Sequence, residues 1–181
     1  MTILKHVPNA LTIIRFLLIP YIIVLIFQEQ YILAFIILTI SGITDILDGV
    51  IARRFNLVTD FGKLVDPLAD KSTQISILVV LMIKGIIPFW IILILFVKEL
   101  LMVAGASFLY GKEFVVSSKW YGKVATVLFY IAIVFSLLIR YFKCPYSFDI
   151  YIYYLATLAA IFSLIMYFKK FYVRDFLKKN A

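Results

Sequence analysis

The chain is poor in charge, in cysteine and in histidine. Of its 181 residues 15% are Asp, Glu, Lys or Arg, with 10 acids against 18 bases. A single cysteine, Cys144, excludes an internal disulfide and reads as an inert structural thiol. The one histidine, His6, lies beside the N-terminus and reads as solvated, so it receives no role. Internal repeats and low-complexity segments are also missing. What fills the chain is apolar: 65% of residues are hydrophobic and the mean hydropathy is +1.07, more than a soluble domain of this length needs. The expected fold is all-α, a polytopic membrane protein of six transmembrane helices forming one domain over residues 1–181, because apolar hairpins follow one another without a polar insert. The net charge of +8 could suggest nucleic acid, but the bases lie between apolar runs. A cytoplasmic membrane face and an anionic substrate account for them better.

Taken in order, Leu11 to Phe27 is the first span, with Asn9 as its N-cap. No small-residue cleavage site follows it, so it reads as a retained span rather than a signal peptide. Arg15, about a turn and a half inside, either snorkels to the headgroups or faces an acidic cavity and holds a substrate phosphate. Gln28 to Gln30 make a turn. The second span starts at Tyr31 and ends near Arg53-Arg54. Pro67 suits the first turn of a helix, so the third span is expected to start around Asp66 and to run to Ile83. Lys84-Gly85 turns the chain into a fourth span, Ile86 to Phe108. It contains Lys98-Glu99, which point about 100° apart on a helix and so are not expected to pair simply. Val124 to Tyr141 and Ile150 to Phe168 complete the six, and a basic tail follows. Ser117 or Ser118 would cap the fifth helix and put Lys119 and Lys123 on one face. With six spans, 13 loop and tail bases fall on one side and three on the other. The positive-inside rule then places both termini in the cytoplasm.

Against this apolar background four carboxylates stand out: Asp45, Asp48, Asp66 and Asp70. A carboxylate at the centre of a lipid-embedded helix costs about 2.5–3.5 kcal/mol, which makes it a functional residue by default. Spacings of three and four place each pair on one helix face. Two such charges ~4 Å apart repel by ~4 kcal/mol at an effective dielectric of ~20, so without cations the cluster would protonate or splay. Two divalent ions would balance four charges, and an all-oxygen site suits Mg²⁺, Mn²⁺ or Ca²⁺ better than zinc or copper. Residues alone lead as far as metal-assisted transfer or hydrolysis at phosphorus, with a spare carboxylate available as base.

The order Asp45-x-x-Asp48-Gly49-x-x-Ala52-Arg53, then eight residues, then Gly62-x-x-x-Asp66-x-x-x-Asp70, resembles the signature of the CDP-alcohol phosphatidyltransferases in every position. The flanks, Pro8-Asn9-Ala10-Leu11-Thr12-x-x-Arg15, Asp66-Pro67-Leu68-Ala69-Asp70-Lys71 and Gly122-Lys123-Val124-Ala125-Thr126, are similar to its phosphatidylglycerophosphate synthase branch. The resemblance implies attack by an alcohol on the β-phosphorus of CDP-diacylglycerol with release of CMP, at the cytoplasmic face of the cell membrane. Carried over by position, Asp45, Asp48, Asp66 and Asp70 would hold two divalent cations, Mg²⁺ or Mn²⁺, with Asp70 also the base. Asn9, Thr12, Gly49, Arg53 and Thr59 would hold the CDP-lipid. The branch implies glycerol 3-phosphate as acceptor, with Arg15, Lys98, Lys119 and Lys123 as candidates for its phosphate. Members of the branch usually carry Arg-Glu where this chain has Lys98-Glu99, and Lys lacks the bidentate fork. The resemblance also implies a homodimer in membrane lipid. Two alternatives stay open: the same chemistry with another acceptor, as in cardiolipin or inositol-lipid synthases, and a divalent-cation transporter. The latter is disfavoured by acids near one membrane face and by the missing inverted repeat.

Overall fold

Long apolar stretches without competing turn residues can satisfy their backbone polar groups only within themselves, and the computed structural model is accordingly helical. The structure describes the backbone of residues 2–54, 60–110 and 120–179 and the side chains of residues 14–44, 71–101 and 120–169. Among the described residues there are six helices: α1 (Thr2–Phe27), α2 (Tyr31–Arg54), α3 (Asp60–Ile83), α4 (Phe89–Tyr110), α5 (Trp120–Tyr141) and α6 (Asp149–Lys179). At 1.5 Å per residue, a helix of 22 residues is about 33 Å long, enough for a hydrocarbon core of ~30 Å. Trp120–Tyr141 and Asp149–Lys169 are long and apolar enough to cross a membrane, and α1, α2 and α3 carry shorter apolar stretches.

Two expected helix starts are corrected. α1 begins at Thr2, so Pro8 and Asn9 lie inside it and Asn9 is not its N-cap. α3 begins at Asp60, and Pro67 is its eighth residue rather than part of its first turn. Proline in a helix interior removes one backbone donor and crowds the preceding turn. Counted from Asp60, Asp66 and Asp70 lie in the second and third turns of α3.

The chain divides into two compact units. The first comprises residues 1–86 and 134–146; within it α1 packs on α2 and on α3. Its core repeats at helical spacing, with Ile19, Ile22 and Ile26 on α1, Ala34 and Leu38 on α2, and Ile77, Leu78 and Leu81 on α3. The second comprises residues 87–133 and 147–181, where α4 packs on α6. Ala156 and Ala160, fully buried one turn apart, allow close helix approach. Trp90 stacks on Tyr154 with centroids 5.6 Å apart, and Tyr121 meets Tyr167 edge-on at 4.9 Å. Outward faces of both units carry large apolar side chains such as Leu17, Phe96, Val127 and Leu158. A surface of this kind suits hydrocarbon rather than water.

Three helix ends close in the same way. After α1, Gln30 N–H donates to the Leu25 carbonyl and Glu29 N–H to that of Ile26; after α3, Ile86 donates to Leu81 and Gly85 to Met82; after α5, Cys144 donates to Ile139 and Lys143 to Arg140. Each is a Schellman cap with its left-handed residue at Glu29 (φ 61°), Gly85 (φ 70°) and Lys143 (φ 51°). The first two caps are joined. Lys84 Nζ donates to Glu29 Oε1 at 2.9 Å and to the Phe27 carbonyl at 3.4 Å, pinning the end of α3 to the α1–α2 turn.

Candidate active site

The two acid pairs are carried by helices of the first unit. Asp45 and Asp48 lie on α2, nine and six residues before its end, and Asp66 and Asp70 lie on α3. Since both segments are helical throughout, spacings of three and four put each pair on one face. The four side chains lie outside the described residues. Among the described ones, no three His, Cys, Asp or Glu side chains come together as a metal site. The donor set itself, carboxylates alone, fits hard divalent cations such as Mg²⁺ or Mn²⁺.

The Lys84 pin fixes the relative depth of these positions. α1, α2 and α3 are tied at one end, and counting from it Arg15 lies 12 residues from Phe27, Asp45 lies 14 from Tyr31 and Asp70 lies 13 from Ile83. At 1.5 Å per residue these are depths of about 18, 21 and 20 Å. Arg15 is 4% exposed. It does not snorkel, which removes one of the two readings that its sequence position allowed.

Sequence reasoning missed the polar residues that continue the acidic faces inward. Ser41 lies one turn from Asp45, while Thr73 and Gln74 follow Asp70 by three and four; all are buried. Their signal was available, since a polar residue at i±3 or i±4 from a carboxylate in an apolar helix shares its face.

For the remaining candidates the outcome is mixed. Asn9 and Thr12 lie on α1, and Gly49 and Arg53 on α2, with side chains outside the described residues; Thr59 and Lys119 lie outside them altogether. Ser117 and Ser118 do so too. Lys123, in the first turn of α5, is exposed. Next to it, a Cβ on Gly122 would stand 3.4 Å from Tyr167 Oη and 3.6 Å from Ser163 Oγ, so the bare glycine lets α6 approach this turn closely. Lys98 departs from expectation. Although it and Glu99 leave the α4 axis about 100° apart, their stems bend together and Nζ donates to Oε1 at 2.6 Å. The side chains are 3% and 13% exposed. In such surroundings an unpaired charge is far costlier than a bent rotamer.

The profile of the CDP-alcohol phosphatidyltransferase family matches residues 5–168. The chain is 37% identical over 109 residues to the CDP-diacylglycerol--glycerol-3-phosphate 3-phosphatidyltransferase of Mycoplasma genitalium, covering 60% of this chain and 46% of that one. It is 35% identical over 131 residues to the protein of the same name from Rickettsia felis, covering 71% and 72%. It is also 39% identical over 103 residues to a probable cardiolipin synthase (CMP-forming) of Drosophila melanogaster, covering 56% and 32%. The chain thus spans less than half the length of the Mycoplasma and Drosophila relatives. A profile match across nearly the whole chain makes this protein a member of the CDP-alcohol phosphatidyltransferase family.

Proposed function

We propose that the protein transfers a phosphatidyl group from CDP-diacylglycerol to glycerol 3-phosphate, giving phosphatidylglycerophosphate and CMP. The observation that carries this is the acid signature on α2 and α3 inside the family match, and several relatives named for this reaction support it. We propose that Asp45, Asp48, Asp66 and Asp70 hold two divalent cations, Mg²⁺ or Mn²⁺. When bound, these would neutralise pyrophosphate charge and stabilise the attacking and leaving oxygens. Asp70 is the proposed base: it takes the proton from the acceptor hydroxyl, whose oxygen forms the new bond to the β-phosphorus. The bond from that phosphorus to the CMP oxygen breaks, and CMP leaves with the electron pair. Asn9, Thr12, Gly49, Arg53 and Thr59 would hold the CDP-lipid. Lys119 and Lys123 are the proposed contacts to the acceptor phosphate. Lys98, already neutralised by Glu99, contributes less, and Arg15 has another role argued below.

The same reading includes six spans with both termini and the site at the cytoplasmic side of the cell membrane, one domain across both compact units, and a homodimer. Support comes from the outward apolar faces, from the asymmetry of loop bases and from the span of the family match. A cardiolipin-type acceptor is the second reading, favoured by the Drosophila relative. Family membership speaks for an enzyme over a cation transporter. Purified protein given CDP-diacylglycerol and a panel of labelled alcohols decides: glycerol 3-phosphate should release CMP fastest. Turnover with phosphatidylglycerol but not glycerol 3-phosphate would move the protein to the second reading, and no CMP with any alcohol would end both.

A further inference from the structure

Arg15 is 4% exposed on α1, and α1 packs on both acid-bearing helices. A guanidinium cannot shed its proton, so burial demands negative charge nearby. Among the described side chains of the first unit the one carboxylate is Glu29. It sits at the pinned end, 14 residues along the chain from Arg15, in contact with Lys84 at 2.9 Å. Ser41, Thr73 and Gln74 are buried at neighbouring depths but neutral. Half-buried Lys71 adds a second cation at the depth of Arg15. The carboxylates that share this depth by helix count are Asp45 and Asp70.

We propose that Arg15 is the built-in counter-charge of the aspartate cluster. It is a positioning residue that offsets the charge of Asp45 and Asp70 and holds them together before any divalent cation arrives, and it is not a ligand of the acceptor phosphate. The argument rests on reading the four aspartates as one site. Arg15 and Lys71 offset two of the four charges, so the empty cluster is tolerable and the loaded one is not overcharged. The geometry behind it is the common depth on three helices tied at one end.

Thermal unfolding of the purified full chain tests it without any activity measurement. In EDTA, Arg15→Met should lower Tm by roughly 5–10 °C, as breaking a buried charge pair does, while Arg15→Lys should recover half or more. Saturating Mn²⁺ should restore most of the loss. In EDTA, adding Asp45→Asn or Asp70→Asn to Arg15→Met should also restore it, because one unbalanced carboxylate is then gone. A loss equal in EDTA and Mn²⁺, and untouched by both Asn substitutions, would mean a packing role and overturn the proposal. So would an unchanged Tm accompanied by a raised KM for glycerol 3-phosphate alone. Recovery by Asn substitution without recovery by Mn²⁺ would support the counter-charge and count against the metal reading above.

Discussion

Asp70 is the residue on which the proposed chemistry turns. Asp70→Asn is expected to abolish turnover while CDP-lipid binding stays measurable, because three carboxylates remain to hold the cations. Asp45→Asn or Asp66→Asn should raise the Mn²⁺ concentration needed for half-maximal rate as well as lower the rate. Steady-state kinetics beside equilibrium lipid binding separates the cases, and near wild-type turnover of Asp70→Asn would remove it as the base. Lys98 and Glu99 call for a different expectation. Removing Lys98 takes one compensating charge from the shielded Glu99, which keeps its other contacts, so Lys98→Met should destabilise by up to about 3–5 kcal/mol, and Lys98→Met with Glu99→Leu by much less. Lys123 is exposed and has no ion-pair partner among the described residues, so Lys123→Met should leave stability alone. Losing one charge-assisted hydrogen bond to phosphate is worth ~1.5–3 kcal/mol, a roughly ten- to hundredfold rise in KM for glycerol 3-phosphate but not for CDP-diacylglycerol.

Among the elements, the clasp between the α1–α2 turn and the end of α3 is the most directly testable. Its hydrogen bond to Glu29 raises the Lys84 pKa above the ordinary lysine value of 10.5, against the opposing effect of desolvation and with help from the charges of Tyr31 and Glu29. A raised folded-state pKa means that the clasp stabilises fully below the unfolded value and loses its contribution as pH climbs through the folded one. The Tm difference between wild type and Lys84→Gln should therefore be constant from neutrality to about pH 10 and close above it. How well these elements could be read from sequence varied with the kind of signal. The turns at Gln28–Gln30 and Lys84-Gly85 were legible because polar or glycine residues interrupt apolar runs there. The starts of α1 and α3 were not, because Asn9 and Pro67 carry start signals while the helices extend past them to Thr2 and Asp60. That both acid pairs fall on helices was legible from the apolar runs around them, whereas the Lys98–Glu99 contact was hidden: a periodicity argument fixes where Cβ points, and four more rotatable bonds decide where Nζ ends.

For the molecule as a whole, orientation in the bilayer is the open expectation. Cys144, exposed beyond the end of α5, is a native reporter of it. A membrane-impermeant thiol reagent added to intact cells should label Cys144, and in a background lacking that thiol it should label Tyr146→Cys but not Asp60→Cys. The reverse pattern would turn the protein over and leave the acids facing away from the nucleotide-activated lipid.

With the four acids holding cations as proposed, the pin at Lys84 would make the three-helix unit a pair of tongs. Its jaws are the acid-bearing stretches of α2 and α3, about 20 Å from the pivot, so a rocking of ~5° at the clasp opens or closes them by ~2 Å. That displacement is large against the ~0.2 Å tolerance of a metal–ligand distance, so a small hinge motion far from the chemistry would change how tightly the proposed cations are held. Stiffening the pivot should then slow exchange at the jaws without touching a single group that meets the substrate.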